Sequence, residues 1–170
     1  MIVTPISAIL DREPWVPLLA ADLQIIVFGT PGPQGSKAFK GMRASKTSGK
    51  QTPVLVESSK KVKPWRTAVA DAARKFDGEP LAGPLAVSMV FTLKPPQRMP
   101  KGRTHPTCYP DLSKLLRSTE DALTGLAWAD DAQVVEYRDT AKTYPGVANH
   151  RDALDTPGAV IRIWRIGGAL

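Results

Sequence analysis

The sequence predicts a mixed α/β (α+β) domain in which one mixed β-sheet carries two main helices. Three observations lead there. Short apolar, β-branched runs alternate with two longer segments of helical period, the predicted order is β, β, α, β, α, β, β, and no internal repeat is present. At 170 residues the chain is long enough for one core and too short for two comfortable domains.

The elements follow in order. Residues 1–22 hold three prolines and no sustained period, so they are set apart as a leader without an assigned role, ahead of a domain at 23–166 and a tail at 167–170. Gln24–Phe28 is a short apolar run ended by Gly29 and reads as a buried strand. The Gly-, Pro-, Ser- and Lys-rich stretch Thr30–Thr52 is predicted to be a loop, mobile without a ligand, and Pro53–Glu57 a second strand. Val62, Trp65, Val69, Ala72 and Phe76 recur at helical spacing, which makes Lys61–Phe76 an amphipathic helix with Trp65 in the core. Leu85–Leu93 is a strand closed by Lys94-Pro95-Pro96, and a basic, proline-rich loop runs on to Pro110. Leu112, Leu115, Leu116, Thr119, Leu123 and Leu126 form the stripe of the second helix, with Asp111 as N-cap and Gly125 as its stop. Asp131–Tyr137 and Ala159–Trp164 supply the last strands.

Several classes fall away on composition. No run of about 18 uncharged apolar residues exists, and Asp11, Arg12, Glu13 and Pro14 break any signal-like apolar centre, so a soluble, cytoplasmic protein without membrane contact is expected. Cys108 is the lone cysteine and His105 and His150 are the only histidines, so neither a disulfide framework nor a zinc constellation is available. Any metal must then be held by oxygen. The net charge of +7 is unevenly spread: from Thr30 to Arg66 nine cations face Glu57 alone, whereas from Asp111 to Thr140 seven acids face three cations. A basic arm beside an acidic centre suits phosphate gripping next to divalent-cation binding, and equally suits ordinary surface scatter.

Gly29-Thr30-Pro31-Gly32-Pro33-Gln34-Gly35-Ser36-Lys37 invites a phosphate-loop reading, but serine separates the last glycine from lysine and two prolines remove backbone donors. No nucleotide cofactor is expected; contact of Lys37, Lys40 and Arg43 with nucleic-acid phosphates is the better reading. The informative segment is Asp111-Leu112-Ser113-Lys114-Leu115-Leu116-Arg117, then Asp121-Ala122-Leu123-Thr124-Gly125 and Trp128-Ala129-Asp130-Asp131-Ala132-Gln133-Val134-Val135. Carboxylates at element ends suit Mg²⁺, which takes only one or two from the protein; singly, each reads more readily as a cap or a polar turn.

Taken together these motifs resemble the RusA family of Holliday junction resolvases, many of them encoded by phages or prophages. The resemblance spans the Gln24 strand to the Ala159 strand and is most specific over Asp111–Val135. It implies a homodimeric, Mg²⁺-dependent endonuclease, with Mn²⁺ able to substitute, acting on four-way DNA junctions in recombination and repair inside a bacterial or phage-infected cell. By position it places the essential carboxylates at Asp111, Asp130 and Asp131, the helix cation at Arg117 and a further lysine at Lys142. Lys37, Lys40, Arg43, Lys46, Lys50 and Lys114 are the expected DNA contacts. The chain departs from the family pattern where Ser113 replaces the second aspartate and Lys114 an asparagine. That leaves a catalytically impaired junction-binding protein, or a nuclease without branch preference, as alternatives. Arg117 has a second reading as an ion pair with Asp121. A helix from Asp111 to Gly125 also spans about 20 Å, so Asp111 and Asp131 meet within one chain only if the helix is short or bent. Otherwise a two-fold dimer brings them together, or Glu136 approaches Asp111 instead.

Overall fold

The structure is a computed structural model, and it describes residues 20–35, 37–44, 51–57, 60–146 and 150–167. Most of the predicted leader, the end of the tail, Lys46 and Lys50 lie outside the described residues. The mixed α+β class holds. A sheet of order β1 (Leu23–Phe28), β7 (Gly158–Arg165), β4 (Leu85–Thr92) and β5 (Val134–Tyr137) is extended by β6 (Ala141–Thr143), which also pairs with β4. The β1–β7 and β7–β4 pairs are antiparallel, while β5 and β6 run parallel to β4.

One face of this sheet is the core. Leu23, Ile25 and Val27 alternate inward from β1, and Leu85, Val87, Met89 and Phe91 from β4, to meet Ile161 and Ile163 of β7. Across them lie α1 (Val62–Ala73) and α2 (Leu112–Leu123). Trp65 of α1, 1% exposed, packs against Phe91 and donates its indole N–H to Thr119 Oγ1 of α2 at 3.0 Å, so the two helices are joined by a satisfied buried polar pair. The predicted α2 stripe is present: Leu115, Thr119 and Leu123 are buried, and Leu112, Leu116 and Leu126 pack against the core. Gly125 adopts φ +80° after the last turn, the left-handed conformation glycine tolerates best.

Two expectations need correction. The stretch Thr30–Thr52 is not all loop, because β2 (Lys37–Ala44) pairs antiparallel with β3 (Gln51–Glu57) in a separate two-stranded sheet. The Gly-Pro turn before it is strapped to α2: Gln34 N–H donates to Lys114 O at 2.9 Å and Ser118 Oγ to Gly32 O at 2.5 Å. A Cβ on Gly32 would sit 2.2 Å from Lys61 O, so close helix packing accounts for that glycine. Asp131–Tyr137 is likewise not one strand. Asp131–Gln133 form a 3₁₀ turn, and only Val134–Tyr137 joins the sheet.

Candidate active site

The predicted carboxylates lie at opposite ends of α2. Asp111 is the N-cap residue, with extended φ and ψ, but its side chain makes no cap bond and instead pairs with Lys114 at 2.9 Å. The carboxylate beside Lys114 holds that ammonium's pKa above its ordinary value. Just before it, Lys142 Nζ donates to Cys108 O at 2.7 Å and Pro110 O at 2.8 Å. Lys142 sits opposite Phe91 near the end of β4, which fixes Asp111 at that end of the sheet.

Asp130 and Asp131 occupy the other end. Asp130 accepts Ala132 N–H at 2.9 Å, and Gln133 Oε1 accepts the N–H groups of Ala129 and Asp130 at 2.9 and 3.1 Å. The Gln133 amide then donates to Leu81 O and Gly83 O, both at 3.0 Å, tying the turn to the chain entering β4. Gln133 is a positioning residue that the family motif contains but sequence reasoning gave no task. The aspartate three residues before glutamine was the available signal, a capping-box spacing. Asp131 is exposed; its carbonyl accepts Val134 N–H, while its carboxylate makes no hydrogen bond or ion pair among the described residues.

Between the two ends, α2 spans about 18 Å and the parallel run of β4 a little more. The helix is neither short nor bent back, so one chain does not bring Asp111 to Asp130 and Asp131. Among the described residues, no group of three or more His, Cys, Asp and Glu lies close enough to hold a metal ion. Glu136 does not bridge the gap. A register shift between Leu85 and Ala86 puts Val134 beside Leu85 on the core face and Glu136 beside Ala86 on the opposite one, where it pairs with Arg138 at 2.9 Å. That guanidinium holds the Glu136 carboxyl below its usual pKa.

Around Asp131 the surroundings are acidic. Tyr137 OH donates to Glu120, and burial, then the charges of Asp131 and Asp121, raise the Glu120 pKa against the opposing effect of the tyrosine bond. Burial and the Glu120 bond push the Tyr137 phenol up as well. Asp121 pairs with Arg66 of α1, so the alternative reading of Arg117 as its ion-pair partner does not hold, and Arg117 is exposed without an ion pair among the described residues. Lys37, Lys40 and Arg43 fall on β2, on the hairpin outside the main sheet.

A family model described as endodeoxyribonuclease RusA matches residues 32–163. The chain belongs to the RusA endodeoxyribonuclease family. No curated protein matches it. RusA enzymes are Holliday junction resolvases, nucleases that generally need a divalent metal. In this RusA chain the matched region takes in both helices and both carboxylate ends of α2. Donor chemistry fits a hard cation: Asp130 and Asp131 offer two adjacent carboxylates, the number Mg²⁺ ordinarily draws from protein. No helix among the described residues is long and apolar enough to cross a membrane.

Proposed function

We propose that this RusA-family chain resolves four-way DNA junctions as a homodimer, by phosphodiester hydrolysis with Mg²⁺, or Mn²⁺ in its place, in recombination and repair. The observation that carries the reading is Asp131, an exposed carboxylate without a partner among the described residues, on a turn that Gln133 fixes to the sheet. Asp130 spends one oxygen on the turn, so Asp131 is the stronger ligand of the pair.

Asp111 lies too far along α2 to join them, and a two-fold axis across the sheet direction supplies it. Reversing the second copy sets its α2 start level with the first copy's Asp131, so each site combines Asp130 and Asp131 with the partner's Asp111. When bound, the cation supplies Lewis acidity and lowers the pKa of water. The protein's own groups do the rest. Lys142 uses two of its three N–H donors on the turn before Asp111, which holds that carboxylate in place and leaves one donor for a phosphate oxygen. Arg117, exposed on the same helix, adds fixed positive charge; a guanidinium stays protonated, so it stabilises charge without donating a proton. Lys37, Lys40, Arg43, Lys46 and Lys50 belong to the basic arm that contacts the backbone of flanking duplex, with Lys114 closer to the site, and binding is steeply salt-dependent.

The test is cleavage of a synthetic four-way junction. Asp131→Asn is expected to lose nicking by about a hundredfold or more while still retarding the junction in a gel. Undiminished cleavage by Asp131→Asn sinks the assignment. One observation favours a second reading, a junction-binding protein without cleavage: Ser113 lacks the family's charge and Lys114 occupies the Asp111 carboxylate. Wild-type protein that binds junctions but nicks none with Mg²⁺ or Mn²⁺ decides for it.

A further inference from the structure

Beside the Asp111 end of α2 lie two neighbouring hollows, taken as the arms of one cleft, that the reading above does not use. One arm, of about 240 Å³, is lined by Thr30, Lys61, Lys94, Pro96, Pro106 and Tyr144, with the Cys108–Pro110 turn as a wall. It shares Thr30, Lys61 and Lys94 with a second arm of about 460 Å³ that passes Lys60, Pro64 and Trp65. Together the arms fall within the range of small-ligand sites, about 300–1,000 Å³.

Three features say what chemistry fits. Tyr144 lines the smaller arm and is 5% exposed, yet its hydroxyl has no hydrogen-bond partner among the described residues. A buried hydroxyl left so is destabilising, and a polar ligand atom to which the ring tip turns would relieve that cost. Lys61 and Lys94 are exposed at the shared mouth, and among the described residues no carboxylate lines either arm, so an anion is favoured there. Pro31, Pro96 and Pro106 give flat apolar walls without backbone donors. A ligand with a planar, polar-edged body and a singly attached anionic group matches all three: a nucleotide.

Place selects its source. The Cys108–Pro110 wall is the segment that Lys142 holds and that leads into Asp111, so an occupant sits next to a carboxylate of the proposed cleavage site. We propose that the cleft takes one extrahelical nucleotide of the bound DNA, its base between the proline walls against the Tyr144 hydroxyl and its phosphate on Lys61 and Lys94. This rests on the junction-resolving reading. Extruding a base costs most from intact duplex and least where pairing is already disturbed, as at a junction's exchange point, so the cleft favours branched over linear DNA.

The experiment places 2-aminopurine, in turn, at each nucleotide flanking the exchange point and follows its fluorescence with the full-length protein in metal-free buffer. Wild type is expected to brighten one position severalfold as the base leaves the stack. Tyr144→Phe, which deletes only a hydroxyl unpaired among the described residues and so should fold normally, is expected to weaken that signal and to lower junction affinity by roughly 2- to 10-fold, the worth of one neutral hydrogen bond. The Lys61→Gln, Lys94→Gln pair should weaken it further. A junction that binds wild type with no brightening at any position overturns this inference alone, as does a Tyr144→Phe signal equal to wild type. Failure of wild type to bind any junction overturns the parent reading and this one with it. Free deoxynucleoside monophosphate is the control: saturable binding that displaces no junction signal places the cleft's ligand in solution and overturns the assignment to DNA.

Discussion

At the scale of single residues, small changes decide whether the carboxylate ends are held. Gly32 lies where the chain after β1 passes beneath Lys61, and a methyl group there meets a backbone oxygen that cannot swing aside. Gly32→Ala is expected to cost about 1–3 kcal/mol, measured by denaturant unfolding, because the strap between Gln34 and Lys114 must shift with it. Glu120 answers to pH. Its pKa is raised, chiefly by burial, so the folded state holds the proton more tightly than the unfolded chain. Stability from this group is therefore full at low pH and is lost as pH rises through the folded value. Glu120→Gln should melt at a higher temperature than wild type at pH 7, and the gap should close as pH falls below the ordinary glutamate value of 4.5. Equal melting at pH 7 would contradict the burial argument. The sequence singles out Asp111, Asp130 and Asp131 through the family resemblance, since taken singly each reads as a cap or a polar turn. It leaves open whether Asp130 serves its own turn or a ligand, and it does not reveal that Asp111 faces Lys114, since both depend on side-chain directions that spacing does not fix.

The elements differ in how openly the chain declares them. Both helices are legible because a wide apolar stripe is written into each, and the observed spans fall inside the predicted Lys61–Phe76 and Asp111–Gly125. Strand β2 is hidden: Lys37, Lys40 and Arg43 break its pattern, among the described residues it pairs with β3 alone, and no apolar alternation marks it. Strand β6 has three residues, too few for any period. Glu136 shows the same limit, because one irregular step opposite Leu85 and Ala86 reverses the face that simple alternation assigns. The helix pair gives the sharpest test at this scale. Thr119→Val keeps the shape but leaves the Trp65 indole N–H buried without an acceptor, and should cost about 1–3 kcal/mol in chemical unfolding. A loss under a few tenths would mean that another acceptor replaces Thr119.

For the whole molecule, the decisive feature is that the two carboxylate groups stand at opposite ends of α2 and of the sheet. A site shared between copies makes a mixing prediction. Asp111→Asn and Asp131→Asn, each inactive alone, should regain about half of wild-type nicking per mixed dimer, since one of its two sites inherits both intact carboxylates. Nicking assays after mild denaturation and refolding of the mixture read this directly, and no recovery would show that each copy works alone. The open side of the sheet carries a separate consequence. Beyond β4 the border is not one strand but two short pieces, β5 and β6, interrupted at Asp139, whose φ of +41° lies in the left-handed region and whose carboxylate pairs with His150 and Arg151. A broken, kinked border with charged side chains offers no long row of free amides for another chain to zip onto. At this border, edge-to-edge pairing with another copy is disfavoured by the strand geometry itself, with no covering segment among the described residues.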